Sequence, residues 1–364
     1  MEEKNIQLFP HNEEAYELLC KSIENYPLAF IEHATGTGKS FILLKYLYTK
    51  MRRKRILFIS MHDEMFCQLF DDQMPSLGIS KDEFHTFDTL IYHNILKYDM
   101  KDIIRNYDCI VFDEAHHCGA EKWSVKIKEL KELVLSTPGK VMIGATATGI
   151  RYLDDYTDVS EEYFDGKTVS RLPISKSILK NLLPAPLYIN SLASCATTVD
   201  RVKKKLTKVL QTEETKSFTN RVDELEQKVS QESNIASVLQ KYNVKPGEKY
   251  IVFCKNIDDL KQKRQEAEDW FKNIGPIRTF AAHSGQKKET NMSEISAFGE
   301  KRNEISLMFA VDIFNEGFHI NGVDGVLMFR KTKSPIIYFQ QLGRALSFSA
   351  RKKQIKIFAR NIYR

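Results

Sequence analysis

Two short runs hold the residues most able to do chemistry, Ala34-Thr35-Gly36-Thr37-Gly38-Lys39-Ser40 and Asp113-Glu114-Ala115-His116. In the first, glycines let backbone N–H groups turn inward around phosphate oxygens without a side-chain clash. Lys39 is placed to bridge the β- and γ-phosphates and Ser40 to ligate Mg²⁺, and the positive end of the following helix adds to the field. The common form of such a loop opens on glycine; here His33 or Ala34 stands at that position. In the second run, Asp113 suits a magnesium contact through water, because that ion prefers a carboxylate plus retained waters. Glu114 is placed to orient or deprotonate an attacking water. An Asp-Glu pair after a strand is also a common helix opener that complements the helix dipole, so its meaning depends on a phosphate loop nearby. Together the two runs predict hydrolysis of ATP.

Positioning these residues falls to short apolar runs rich in Ile, Val and Phe that alternate with helical patterns, the signature of parallel βαβ units. In the first half the expected strands are Leu28–Ile31, Ile56–Ser60, Phe84–Phe87, Cys109–Phe112 and Val141–Ala145, with helices over Ser40–Tyr48, Glu64–Phe70 and Trp123–Leu135. A second series begins near Tyr188 and runs through Tyr250–Cys254, Ile277–Ala281, Ile305–Val311, Gly325–Phe329 and Ile355–Phe358. The expected fold class is therefore α/β, with two parallel-sheet domains in tandem, residues 1–185 and 186–364. Each would bind at the C-terminal ends of its strands. Between about 198 and 245 the strand-like runs vanish and charges of both signs crowd in. Val202, Leu206 and Val209, then Val222, Leu225 and Val229, recur at helical steps, which predicts a helical insertion, either a hairpin against one domain or a short coiled coil.

A length of 364 residues suits two domains, and 42% apolar with 28% charged residues is ordinary globular composition. The net charge of +6, from 54 basic and 48 acidic side chains, is compatible with nucleic acid without demanding it. Six cysteines with no CxxC spacing argue against a zinc site or disulfide framework and for reduced thiols in the cytoplasm. The start, Met1-Glu2-Glu3-Lys4-Asn5, lacks a signal-peptide profile. No apolar run reaches the ~20 residues that span a bilayer. A cytoplasmic protein without a membrane partner is expected.

The Asp113–His116 run behind an apolar strand, Ala34–Ser40 upstream and Gly144-Ala145-Thr146-Ala147-Thr148 downstream together resemble the superfamily 2 DEAD/DEAH-box helicases. Within them the chain is most similar to the ResIII-like branch of restriction-enzyme motor subunits, over nearly its whole length. The resemblance implies two RecA-like domains with ATP and Mg²⁺ at the cleft between them. It makes Ala34–Ser40 motif I, so that Thr35, Gly36, Thr37, Gly38, Lys39 and Ser40 hold the nucleotide, and Asp113–His116 motif II. Thr146 and Thr148 fall in motif III, which with His116 couples hydrolysis to nucleic acid. Gly149 stands where proline is usual. Asn12, in Pro10–Ala15, takes the place of the family's adenine-reading glutamine, keeping the amide on a shorter reach. Ser60, in Leu57–Ser60, and Thr86 and Thr89, in Thr86-Phe87-Asp88-Thr89, resemble motifs Ia and Ib, which touch the phosphodiester backbone.

In the second half, Ile251–Lys255 resembles motif IV, and His283 and Ser284 fall where that domain reaches a backbone phosphate. Asp312–His319 resembles motif V, with Gly317 near the nucleotide and His319 where many relatives use Asp. Gln340-Gln341-Leu342-Gly343-Arg344 resembles motif VI, with Gln340 catalytic and Arg344 the arginine finger; Ser347 stands where a second arginine is common. The implied activity is an ATP-dependent helicase or translocase, on DNA more than RNA. The other reading is an ATP-gated nucleic-acid-binding module with weak hydrolysis, serving a larger complex. No nuclease or specificity domain is recognisable in the sequence, so those functions would come from protein partners.

Overall fold

The computed structural model describes residues 4–151, 157–190, 235–311, 322–329 and 354–359. Described residues up to Pro184 form one compact unit and those from Ala185 onward form another. The first unit is built on β1 (Leu28–His33), β2 (Arg55–Ser60), β3 (Thr86–Ile91), β4 (Cys109–Asp113) and β5 (Val141–Thr146). A two-stranded hairpin of β6 (Ile150–Arg151) and β7 (Thr157–Asp158) follows, then β8 (Thr168–Leu172). The six longer strands run in the order β3-β2-β4-β5-β1-β8 with every pairing parallel.

Such a sheet is covered on both faces, which is why its strands read as continuous apolar runs rather than alternating ones. Successive side chains go to opposite faces. Ala29, Ile31, Ile56, Phe58, Cys109, Val111 and Ile143 pack with the apolar sides of α1 (Pro10–Asn25) and α2 (Lys39–Tyr46). Leu28, Phe30, Leu57, Ile59, Ile110, Phe112 and Met142 pack on the other face under helices Met100–Asn106 and Ser124–Ser136.

The second unit repeats the plan with β9 (Ala185–Asn190), β10 (Lys249–Phe253), β11 (Ile277–His283), β12 (Ile305–Val311), β13 (Gly325–Met328) and β14 (Gln354–Ala359). Their order is β11-β12-β10-β13-β14-β9, again all parallel. Helices Ile257–Phe271 and Lys288–Gly299 make the crossovers around β11. The chain thus has two tandem RecA-like parallel-sheet domains. Most of the helical insertion expected over 198–245 lies outside the described residues; its end is the helix Ile235–Lys241. Among the described residues no helix is long and apolar enough to cross a membrane.

One strand departs from its sequence expectation. The apolar run Phe84–Phe87 predicts a strand there, but β3 begins at Thr86 and continues to Ile91. The cause is local. Ser80 and Glu83 form a reciprocal capping box around the short turn Lys81–Glu83, and the Phe84 N–H donates back to the Lys81 carbonyl at 3.1 Å. Those bonds hold the chain in a turn until the strand can start.

Close approach of backbone governs the start of β13. A Cβ placed on Gly325 would lie 2.3 Å from the Lys356 carbonyl oxygen and 2.8 Å from the Tyr250 ring. The carbonyl belongs to the paired strand β14 and cannot swing away. Gly325→Ala should therefore lower stability by about 1–3 kcal/mol, the usual cost of overpacking, seen as a lower urea midpoint.

Candidate active site

Strand β1 delivers the chain to the phosphate loop. The Ala34 N–H donates to the Leu172 carbonyl of β8 at 2.8 Å, so the sheet holds the chain up to the first loop residue. Gly36 and Gly38 then adopt φ of 82° and 93°, left-handed values that glycine takes without strain. The Thr37 N–H and hydroxyl both donate to the Ala34 carbonyl, at 3.3 and 2.7 Å, closing the loop on itself. Helix α2 opens at Lys39 behind Gly38, so the first N–H groups of the helix have no carbonyl partner within it. Lys39 is only 8% exposed and has no carboxylate partner among the described residues. A buried ammonium without a counter-charge is costly, and a phosphate at the loop would supply the missing anion. Thr35 and Thr37 are buried in the same loop and Ser40 is half-buried.

Helix α1 packs against that loop. Asn12 is 1% exposed, and its Nδ2 lies 2.4 Å from where a Cβ on Gly38 would stand. Its Oδ1 is buried without a hydrogen-bond partner among the described residues. His11, one residue earlier, places Nε2 2.9 Å from the Thr37 carbonyl. In the sequence, His11 is marked only by its place in the same helical turn as Asn12.

The carboxylates emerge at the same edge of the sheet. Asp113 pairs with Ala145 of β5, and Glu32 of β1 pairs with Thr146, so β5 is the one strand between the phosphate-loop strand and β4. With strands spaced at ~4.8 Å, the ends of β1 and β4 are about 10 Å apart. Asp113 and Glu114 are buried, and the Tyr92 hydroxyl donates to the Asp113 carbonyl at 3.2 Å. Glu114 sits at φ 48°, ψ 51°, a left-handed conformation that costs a residue with a side chain about 1–3 kcal/mol. The strained residue turns the chain from β4 into the short turn Ala115–Gly119.

The residues expected to couple hydrolysis to nucleic acid are brought into one group. His116 Nδ1 lies 2.9 Å from Thr146 Oγ1, and Glu114 Oε2 lies 3.5 Å from each of them. The Thr148 N–H donates to Thr146 Oγ1 at 3.4 Å. Gly149, where proline is usual, lies in a tethered turn. Its carbonyl accepts the Val159 N–H at 2.9 Å, and the β6–β7 hairpin follows directly. A Cβ on Gly149 would come within 3.3 Å of Glu32 Oε2, the carboxylate that pairs with Arg171 at 2.7 Å.

The residues expected to touch a nucleic-acid backbone are distributed differently. Ser60 is fully buried, with its hydroxyl on the Met65 sulfur at 2.9 Å, so its side chain is not presented to a phosphate. Thr86 pairs with Arg55 at the start of β2, which puts it at the edge of the sheet opposite the phosphate loop. Thr89 pairs with Phe58 in mid-strand. The later start of β3 moves its C-terminal end to Ile91, so the exposed His93 and half-buried Asn94 occupy the edge instead. In the second unit His283 ends β11, locked by the Asn291 carboxamide, which accepts from its N–H at 3.2 Å and donates to its carbonyl at 3.1 Å. Ser284 follows, exposed at that strand end. Gly317, Gln340 and Arg344, with His319 and Ser347, lie outside the described residues.

Comparison with known proteins bears on the fold and the family. Residues 5–151 match the family described as type III restriction enzyme, res subunit, and residues 230–349 match the helicase conserved C-terminal domain. The chain is 21% identical over 262 residues to a protein of the Sulfolobus islandicus filamentous virus (isolate Iceland/Hveragerdi) whose name assigns it as helicase 22. That match covers 70% of this chain and 42% of the viral protein. Among solved structures, the ATP-dependent type ISP restriction-modification enzyme LlaBIII bound to DNA superposes with a TM-score of 0.67 at 15% identity, covering 98% of this chain and 28% of that one. The Escherichia coli DEAH/RHA helicase HrpB superposes with a TM-score of 0.62 at 10% identity, covering 97% of this chain and 43% of the other. This chain thus spans less than half the length of each of these proteins.

The end of β1 also carries a pH-sensitive group. His33 is buried with Nε2 2.7 Å from the Ser170 hydroxyl of β8. Burial, with smaller contributions from the charges of Lys39 and His11, pushes its imidazole down to about 3 from 6.5. The unfolded chain then binds a proton that the folded one refuses. Stability from this group is complete above about pH 6.5 and is lost as pH falls toward 3, by up to ~1.4 kcal/mol per pH unit. His33→Asn should fall less in urea midpoint than the wild type between pH 7 and pH 5.

Proposed function

Because the chain belongs to the ResIII-like superfamily 2 helicases, we propose that it is an ATP-hydrolysing motor on nucleic acid, with DNA preferred to RNA. The observation that carries this reading is a buried Lys39, without a carboxylate partner among the described residues, in a left-handed glycine loop on the same sheet edge as Asp113 and Glu114. The donor set also suits magnesium, which takes a hydroxyl and a carboxylate and keeps several waters of its own. Ser40 and Asp113 would hold Mg²⁺, which when bound neutralises phosphate charge. Lys39 and the N–H groups of the loop and of the start of α2 bind and orient the β- and γ-phosphates. Glu114 accepts the proton of the attacking water or aims it. His116 and Thr146, within hydrogen-bonding range of each other beside that carboxylate, pass its state to Thr148 and the segment after it.

Under this reading Asn12 takes the adenine-reading position and Gly317, Gln340 and Arg344 take part in nucleotide binding and hydrolysis, with residues 1–185 and 186–364 as the two working units. His283 and Ser284 meet the phosphodiester backbone. DNA is favoured by the ResIII-like kinship, and LlaBIII is an ATP-dependent relative in fold whose structure contains DNA.

Lys39→Ala and Glu114→Gln should each lower ATP turnover by about 10²–10⁴-fold. The glutamine variant should still bind ATP, because the phosphate cradle survives; turnover like the wild type in either variant would overturn the site assignment. ATP turnover by the wild type should rise on adding DNA, more than on adding RNA, and the stimulation should weaken steeply as salt increases. A rate indifferent to nucleic acid would count against the motor.

A further inference from the structure

The first sheet has a second edge. Register pairs Arg55 with Thr86, Ile56 with Cys109 and Cys109 with Val141, so the starts of β2, β3, β4 and β5 lie side by side. That edge is about 17 Å along the strands from the end of β2. Three separate stretches of chain bring cations there: Lys50, Arg52, Arg53, Lys54 and Arg55 before and into β2, Lys81 before β3, and Lys140 before β5. His85 joins them, its N–H donating to the Arg52 carbonyl at 2.7 Å.

Two of the carboxylates at this edge are already held. Asp108 accepts from the Arg55 N–H at 3.0 Å, from the Arg55 guanidinium at 3.2 Å and from Lys140 at 3.0 Å, two cations on one anion. Glu83 accepts from Lys4 at 2.7 Å and from the Tyr48 hydroxyl at 3.0 Å. Asp82 is exposed on the turn before β3, outnumbered by cations. Arg52 lies over the Tyr48 ring and Lys81 over Phe70. Lys50, Arg53 and Lys54 remain exposed, without an ion-pair partner among the described residues. None of the exposed large apolar side chains, such as Leu96, Tyr98, Val125 or Leu179, falls within residues 50–55 or 81–85.

We propose that this basic edge is a second grip on the phosphate backbone of duplex DNA, separate from the nucleotide site and from the strand ends that face it. The choice of polymer rests on the proposed motor function. The chemistry fits it: exposed cations without apolar surface suit phosphate contacts, whereas a protein interface is built around an apolar or aromatic centre. A grip at this edge reads no bases, so it holds duplex of any sequence.

The test is duplex DNA binding by the full chain without ATP, measured by fluorescence anisotropy across a KCl series, for the wild type and the triple variant Lys50→Ala, Arg53→Ala, Lys54→Ala. The variant should bind about tenfold more weakly at low salt, and its plot of log K against log [KCl] should be shallower by about two to three, near 0.9 per lost phosphate contact. Its ATP turnover without DNA should match the wild type, which separates failure of this inference from failure of the nucleotide-site reading. An unchanged affinity and slope overturn the second grip and leave the edge to an acidic protein partner.

Discussion

The backbone ladder joining β1, β5 and β4 is the constraint on which the candidate site rests. Its parallel register sets Glu32 beside Thr146 and Ala145 beside Asp113. Strand ends fixed in this way put the phosphate loop, the two carboxylates and the Thr146–Thr148 turn at one edge, although more than a hundred residues of sequence separate the first from the last. The apolar runs on both faces keep the ladder dry, and loop geometry is then left to glycine torsions and a few short hydrogen bonds.

Sequence made some of this layout legible and hid the rest for physical reasons. Lys39, Ser40, Asp113 and Glu114 stand out because their neighbours in the chain are also their neighbours in space, so the loop and the turn are encoded in consecutive residues. Most strands were visible as apolar runs, since a doubly covered sheet needs them. The start of β3 was not, because the capping box of Ser80 and Glu83 acts through side-chain geometry that an apolar run does not display. Its consequence spreads: Thr86 falls at the far edge and His93 at the near one. Ser60 shows the other failing, since a strand-end serine can as well be packed on a thioether as turned to solvent. The links between His33 and Ser170, and between His11 and Thr37, join distant segments and leave no local trace.

Gly149 illustrates how one role can be met by different means. Proline, usual at this position in the family that the sequence resembles, would fix the backbone covalently. Here the Val159 N–H and the β6–β7 hairpin fasten the turn from outside. The absence of a side chain leaves the Glu32 carboxylate free to reach Arg171, so the departure from the family pattern is matched by its surroundings.

The Thr146 hydroxyl has one proton and three groups within range that can accept it, His116 Nδ1 at 2.9 Å, the Thr148 carbonyl at 3.3 Å and Glu114 Oε2 at 3.5 Å. It can serve only one at a time. The imidazole, the carboxylate and the backbone of the following segment therefore compete for a single proton. Moving that proton from one acceptor to another takes only a rotation about the Cβ–Oγ bond, with no heavy atom displaced.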